Sequence, residues 1–481
     1  MLIGMDVGGT NTDLVMVEEE ISSEKVSNTE GIKKALECIR VHGRLAVSTS
    51  TPLNRVLTGL PVQVQTLLIP GPGLWWPGGI KGAVNHRGDI VEHVDPKEIK
   101  EVLIALQGDA LAIAGKFSVR NPALEKEVAS HALHYYYKDR IAMSHHLAGL
   151  DFPGRVVTTR LNAMMKDTVT RLVRDIRTEK KDFLFFKGDG GLTPPEYAVN
   201  NPSLLYHSSA AAVALGARYL SGADECVVVD IGGTTTDLVP LKGGVPEMEI
   251  LVHNGERTVT RAVTAQSLPF GGDSLVDEGL QSRRLGNALA FGGSHPTLTD
   301  ALNRTGEEIG DFRASNCLKL DLASKALEEY FTLVARAVAA SRTRRLVGTG
   351  YLAPFMLPEI ARRTGTQYTI PPHWDCANAV GVAVSRVSLT LHARFDSGRR
   401  WVAFNGEQQS LNEMGDDDAV MERCREEVRR RAIAAGAHPG DVKEVQVLHF
   451  HAYDVIRSSY RSARIADVIV QVAPGITVEA P

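Results

Sequence analysis

VVVDIGGTTTDLVPL, residues 227–241, decides how this chain is read, because LIGMDVGGTNTDLVMV, residues 2–17, says nearly the same thing. Both carry D-[IV]-G-G-T-x-T-D-L-V. In each copy an apolar run reads as a buried strand, the glycine pair as a turn, and the Leu-Val after the last Asp as the start of a second strand. The result is a β-hairpin whose tip holds two Asp, two Gly and two Thr. Gly8-Gly9 and Gly232-Gly233 lack side chains and accept positive φ, so a polyanion can come close to the backbone. Consecutive amides there, helped by the hydroxyls of Thr10, Thr12, Thr234 and Thr236, make an anion-binding concavity. Asp6 and Asp230 repel phosphate unless a divalent cation lies between them. Mg²⁺ prefers such an arrangement, with one or two carboxylates plus phosphate oxygens and waters. One hairpin of this kind is as easily an ordinary tight turn. Two copies in one chain point to a nucleotide-phosphate clamp built twice.

Composition bounds the rest. A chain of 481 residues has room for two to four domains. Its 43% apolar and 23% charged residues, with a net charge of −4, describe an ordinary soluble protein and argue against nucleic acid as the main partner. No apolar run reaches the length of a membrane span, and a hairpin starting at residue 2 leaves no room for a signal peptide. The five cysteines (Cys38, Cys226, Cys317, Cys376, Cys424) form no CxxC pair. Reduced thiols in a cytoplasm are expected, and a zinc site is not.

In chain order, helices are predicted over 30–41, 96–106, 122–136 and 158–177, and strands over 45–47, 62–69, 110–114, 140–143 and 183–187. Residues 48–51 read as a hydroxyl-rich loop, and PGPGLWWPGG, 70–79, as a surface loop with two anchoring aromatics. Strand 140–143 runs into Ser144-His145-His146. Histidines past a strand end occupy the position where α/β proteins keep catalytic groups, although a lone pair is more often a loop feature. The Ala-rich stretch 206–220 reads as a helix whose small residues suit close approach to a neighbouring helix. SLPFGGDSLVDEG, 267–279, is another Gly-Gly turn. Leu327, Tyr330, Phe331, Val334 and Val338 fall at helical spacing, which predicts a buried helix over 323–341. Gly348-Thr349-Gly350 is a turn on which a purine or ribose can lie flat, weak evidence alone. The last ninety residues read as a small α/β unit. In it Asp416 to Asp418 cap a helix, Val420, Met421, Cys424, Val428 and Ile433 line one face, and strands follow at 445–451 and 465–472. His449 and His451 alternate onto one strand face, where a partly exposed surface is the favoured reading over a metal or proton role.

Two D-x-G-G-T-x-T-D hairpins, the later GTG and a small-residue helix over 377–385 resemble the acetate-kinase/sugar-kinase/actin superfamily. More narrowly, the chain resembles the hydantoinase A/oxoprolinase family over about residues 1–391. DIGGTTTDL carries that resemblance residue for residue. GDGGLTPPE, HSSAAAVALGARYL, GGDSLV and PTLTDALNRTG are similar to further family elements, and Ser144-His145-His146 to its Ser-His-Glu. The family's His-Gly-Thr-Thr appears as Val47-Ser48-Thr49-Ser50 without the histidine, the acid after His145 is missing, and the long C-terminal region of larger members is replaced by about ninety residues.

The resemblance implies an α/β, two-lobed actin/sugar-kinase-like (ribonuclease-H-like) ATPase fold with a small C-terminal α/β unit, divided as 1–205, 206–391 and 392–481. It implies ATP and Mg²⁺ as cofactors and a cytoplasmic, ATP-dependent hydrolase of cyclic amides that phosphorylates a substrate oxygen. Asp6 and Asp230 are then metal ligands. Gly8, Gly9, Thr10, Thr12, Gly232, Gly233, Thr234, Thr236, Gly272, Gly348, Thr349 and Gly350 bind nucleotide. Asp13, Asp237, His145 and His146 are the catalytic candidates. The partner is a small-molecule substrate, with a partner subunit or a homo-oligomer left open. A small-molecule kinase and a non-catalytic ATP-driven switch use the same clamp and remain alternatives.

Overall fold

The computed structural model describes the chain except residues 9–10, 28–30, 40–41, 51–61, 75 and 481. Leu2–Val7 (β1), Asn11–Val17 (β2) and Ile21–Ser27 (β3) form an antiparallel meander. Helix Gly31–Cys38 (α1) leads to Arg44–Thr49 (β4), which lies parallel to β1 on its other side. The ends of the helix expected over 30–41 lie outside the described residues. Leu184–Phe186 and Leu192–Thr193 extend the sheet beyond β4. β1 is buried along its whole length, as a central strand packed on both faces must be.

The second sheet repeats this plan. Cys226–Ile231 takes the place of β1, Thr236–Lys242 that of β2, and Arg345–Thr349 that of β4. The registers coincide as well. Asp6 pairs with Asp13 and Val7 with Thr12, just as Asp230 pairs with Asp237 and Ile231 with Thr236. The repeated sequence is thus a repeated sheet, and the chain has the two-lobed actin/sugar-kinase-like α/β fold.

Two helices join the lobes. Ser208–Ser221 packs on the second sheet, while Ala377–Val384 returns to the first, where Ala379, Val380, Ala383 and Val384 cover Leu2, Val15 and Val17. They approach each other more closely than any side chain allows. A Cβ on Gly216 would stand 1.9 Å from the Ala377 carbonyl oxygen, and one on Gly381 would stand 1.9 Å from that of Ala212. Gly4 of β1 is as tight, with Ala379 O at 2.0 Å. The small residues of the Ala-rich stretch therefore serve backbone approach, as their composition suggests.

Between β4 and the 184–186 strand the chain inserts a parallel sheet, Val64–Ile69, Ala110–Gly115 and Ile141–Met143, with helices Pro96–Ala105 and Ala123–Ala132. Asp95 caps the first of these, accepting from Lys97 N, with Pro96 in its first turn. The second stops at Ala132, four residues short of the predicted end. The long helix Phe152–Arg177 starts six residues earlier than expected, capped by Asp151. Trp76 of the 70–79 loop is exposed, and Trp75 lies outside the described residues.

The last segment is an antiparallel sheet of five strands with helix Asp417–Ala434 on one face. Its first strand, Leu389–Asp396, runs through the boundary expected at 391. Val420, Cys424 and Val428 are buried in that helix, but Ile433 is exposed and Ala432 fills its expected place. The sheet is tied to the inserted unit by Arg87–Asp396 at 3.0 Å, Arg399–Asp89 at 2.5 Å and Arg120–Asp467 at 3.0 Å. Strands Gln446–Arg457 and Tyr460–Val472 are longer than predicted, and the rings of His449 and His451 stack 6.4 Å apart on an exposed face. Among the described residues no helix is long and apolar enough to cross a membrane.

Candidate active site

Side chains alternate along a strand, and this decides what each hairpin presents. Asp6 and Asp13 face each other across β1 and β2 on one side, whereas Thr12, between Asp13 and the tip, is buried on the other. In the second hairpin Asp230 and Asp237 pair in the same way, and Thr236 turns inward. There its hydroxyl meets Tyr330 OH at 2.7 Å and donates to Phe270 O at 2.9 Å. Thr12 and Thr236, expected among the nucleotide ligands, are therefore core residues of their strands. The second strands begin before the last Asp of each motif, not after it. Thr234 and Thr235 occupy the second tip, and Thr235 Oγ1 donates to Asp237 Oδ2 at 2.9 Å. Gly8 N and Gly232 N close the turns onto Asn11 O and Thr235 O at 3.0 and 3.1 Å. Gly9 and Thr10 lie outside the described residues.

The aspartates are held from outside their own motifs. Ser48 of β4 donates to Asp6 Oδ1, and Asn378 Nδ2 approaches Asp6 Oδ2 at 3.4 Å from the returning helix. Thr349 Oγ1 donates to Asp230 Oδ1 at 2.9 Å. Ser48 and Thr349 thus play the same part, each from the strand parallel to its hairpin. Burial lifts the Asp6 pKa above the ordinary carboxylate value, and Asp13 adds to the rise. Burial pushes Asp230 up to about 7, helped first by Asp237 and then by Asp6 of the other lobe. Asp6 thus lies within electrostatic range of Asp230. Asp13, bridged to Lys25 at 3.1 Å, and Asp237 are raised mainly by burial.

The remaining glycines give the cleft its shape. Gly272 N and Asp273 N donate to Gly232 O and Gly233 O at 2.9 and 2.7 Å, so the 271–274 turn backs the second hairpin. Gly350, at φ +80, lies where a Cβ would stand 2.5 Å from Ile231 O. Its amide donates to Trp374 O at 2.9 Å, and the buried Trp374 indole N–H has no hydrogen-bond partner among the described residues. Gly348 is packed inside its strand against Leu357 and Ala353. Among the described residues no three His, Cys, Asp or Glu side chains converge to hold a metal by themselves. A cation in this cleft would draw its other ligands from phosphate and water.

His145 and His146 belong to a second cluster at the C-terminal ends of the inserted parallel strands. Glu125, twenty residues earlier in sequence, supplies the carboxylate missing after His145. Its Oε2 lies 2.7 Å from His145 Nδ1 and accepts from His145 N at 2.9 Å, while Oε1 accepts from Ser144 Oγ and Gly115 N. Arg155, fully buried, donates to Ser144, Ser118 and Gly115 O. Burial works to raise the Glu125 pKa, but hydrogen bonds and the charge of His145 outweigh it and the pKa falls below the usual value. Burial, with His145 second, pulls His146 down to about 3. His146 is therefore a neutral imidazole at physiological pH. Glu125, Asn378 and Ser48 carry no motif of their own, and sequence reading passed over them as site residues.

No curated protein matches the chain by sequence. A family profile described as hydantoinase/oxoprolinase matches residues 155–307, a stretch that contains the second hairpin and the turn behind it. Among solved structures, a nucleotide-free acetone carboxylase superposes with a TM-score of 0.73 at 13% identity, covering 100% of this chain and 88% of that one. An ATP-dependent caprolactamase from Pseudomonas jessenii superposes with a TM-score of 0.66 at 17% identity and the same coverage. At such identities the likeness is one of fold. The matched stretch carries the second hairpin, and over residues 155–307 this chain is similar to the hydantoinase/oxoprolinase family.

Proposed function

We propose that the protein is an ATP-dependent hydrolase of the hydantoinase/oxoprolinase type, acting on a carbon–nitrogen bond of a cyclic amide or related carbonyl substrate. The observation that carries this reading is the pair of cleft-facing carboxylates, Asp6 and Asp230, the latter lifted to about 7. Burial, with like charges nearby, favours protonation of these carboxylates until a cation neutralises them. Asp6 and Asp230 fit Mg²⁺, which takes few carboxylates and keeps phosphate and water as its other ligands. Bound there, Mg²⁺ would neutralise charge on the phosphate oxygens.

The amides of Gly9 and Gly233, with the hydroxyls of Thr10 and Thr234, would receive the phosphates, while Gly8 and Gly232 hold the turns closed. Gly272, the 348–350 turn and the Trp374 indole N–H would receive the nucleoside. Asp13 and Asp237 would orient the attacking group or the waters of the cation. A substrate oxygen then attacks the γ-phosphoryl group, a step that depends on positioning and charge neutralisation. His145, oriented by Glu125, and neutral His146 are the candidates for directing water onto the activated carbonyl. In this reading 1–205 and 206–391 form the closing lobes and 392–481 a bracing unit. Its five free cysteines suit a cytoplasmic enzyme.

The test is a screen of cyclic amides and other metabolites for stimulated Mg²⁺-dependent ATP hydrolysis, reading free phosphate and phosphorylated product together. Ring opening with stoichiometric phosphate supports the hydrolase. A stable phosphorylated product makes the protein a kinase, and slow turnover indifferent to every metabolite makes it a switch.

A further inference from the structure

Arg218 lies near the C-terminal end of helix Ser208–Ser221, and its guanidinium rests on the turn between Thr236–Lys242 and Val245–Pro246. Gly244, at φ +70, makes room for it, since a Cβ there would stand 2.3 Å from Arg218 Nε. Asp224 Oδ1 accepts from the same Nε at 3.1 Å. Arg386, two residues past helix Ala377–Val384, is fixed from another side. Its Nε donates to Ala473 O at 2.8 Å, and its Nη2 approaches Pro474 O at 3.4 Å. Both arginines line one cavity of about 160 Å³. Among the described residues no acceptor meets Arg218 Nη1, Arg218 Nη2 or Arg386 Nη1, which leaves these donors for a ligand.

The walls set the chemistry of that ligand. Leu215, Pro246 and Ile476 supply an apolar side, and Asp189 a single carboxylate. That carboxylate is already engaged, with Lys187 Nζ on Oδ2 at 2.8 Å and Gly191 N on Oδ1 at 2.9 Å. Of the charged side chains that line the cavity or bond to those that do, Lys187, Arg218 and Arg386 are cations, whereas Asp189 and Asp224 are anions. The balance is a single positive charge. A planar guanidinium with its outer donors open matches the two oxygens of a carboxylate. Size limits the rest, since a cavity of about 150 Å³ takes benzene, roughly six heavy atoms. A phosphate dianion fits that volume but exceeds the charge, and it would set polar oxygens against the apolar side.

We propose that this cavity is a second ligand site, taking a small organic monocarboxylate held by Arg218 and Arg386 with its short carbon chain on Leu215, Pro246 and Ile476. The site stands apart from the hairpins. Ser208 Oγ donates to Thr49 O at 3.3 Å beside the first hairpin, and Arg218 lies about 15 Å further along the same helix. A carboxylate received there ties the crossing helix to the exit of the returning one. It needs no nucleotide, so its failure leaves the proposed function untouched.

The test is equilibrium dialysis of the full chain, without nucleotide, against radiolabelled butyrate, with n-butanol and inorganic phosphate as competitors. Six heavy atoms at an intermediate ligand efficiency give a dissociation constant of about 1 mM. One butyrate per chain should bind saturably, and neither competitor should displace it at equal concentration. Arg218→Met should weaken binding about 10–100-fold, the scale of a lost hydrogen bond to a charged group. Its melting temperature should hold, because the ion pair with Asp224 is largely exposed. Val245→Trp, at an exposed strand position lining the cavity, should abolish binding while leaving both guanidiniums in place. Absence of saturable binding, wild-type affinity in either variant, or displacement by n-butanol at equal concentration would overturn the proposal. Displacement by phosphate at equal concentration would make this an inorganic-anion site and overturn the carboxylate assignment.

Discussion

At the scale of single residues, Asp230 shows function set against stability. A carboxyl raised to about 7 by burial, Asp237 and Asp6 is costly to keep charged without a cation beside it. Asp230→Asn keeps the shape and the bond from Thr349 while removing the charge. Its melting temperature should rise, and any Mg²⁺-dependent turnover should fall by roughly 10²–10³-fold, the scale of one lost preorganised group. Calorimetry and a phosphate assay on the same sample check both halves, and a destabilised variant with full activity would refute the assignment. His146 carries a pH signature of the opposite kind. Held at about 3 in the fold and near 6.5 when unfolded, it binds more protons in the unfolded chain between those values. Its contribution is complete above pH 6.5 and is lost as pH falls through that window, about 2 kcal/mol between pH 7 and 5. Denaturation midpoints should drop accordingly, and His146→Gln should flatten the profile.

At the scale of elements, the crossing of helices Ser208–Ser221 and Ala377–Val384 is the joint through which the hairpins are aligned. Gly216→Val drives a branched side chain into a space where even a Cβ would stand 1.9 Å from a carbonyl oxygen. Overpacking of this kind costs about 1–3 kcal/mol, and ATP affinity should weaken with it because both lobes shift. A shifted urea midpoint without a change in nucleotide binding would separate the joint from the site. The hairpins were legible because a turn with its two flanking strands is a local event written in consecutive residues. The inward turn of Thr12 and Thr236 was equally available from strand alternation, but the motif was read as a tip, and the register escaped notice. Glu125 was not legible at all. It meets His145 only because a helix and a strand of the inserted unit pack together, and no spacing encodes that. Asn378 reaches Asp6 from the far end of the chain for the same reason.

At the scale of the whole molecule, the proposed function has each lobe offer one hairpin to the same phosphates. Mg²⁺ with a non-hydrolysable ATP analogue should therefore narrow the angle between lobes. Small-angle scattering should report a smaller radius of gyration at saturation, and an unchanged value would exclude closure. The inserted unit and the C-terminal sheet should travel together, since Arg87, Arg120 and Arg399 clasp Asp396, Asp467 and Asp89 between them. Simple cyclic amides such as hydantoin or 5-oxoproline should be turned over weakly by the isolated chain, because the family's early histidine is absent here. Activity should return with the true substrate or a partner subunit, and rapid opening of either ring by the purified chain would contradict this.

The return of helix Ala377–Val384 to the first sheet also bears on how the protein is made. Leu2, Val15 and Val17 emerge from the ribosome about 360 residues before Ala379, Val380, Ala383 and Val384, which cover them. The first hairpin therefore waits through that stretch of synthesis with an apolar face open to the nascent chain's surroundings. Domains that fold as they emerge escape such a delay. This sheet cannot cover its two hairpin strands until helix Ala377–Val384, about 360 residues further along the chain, has been made.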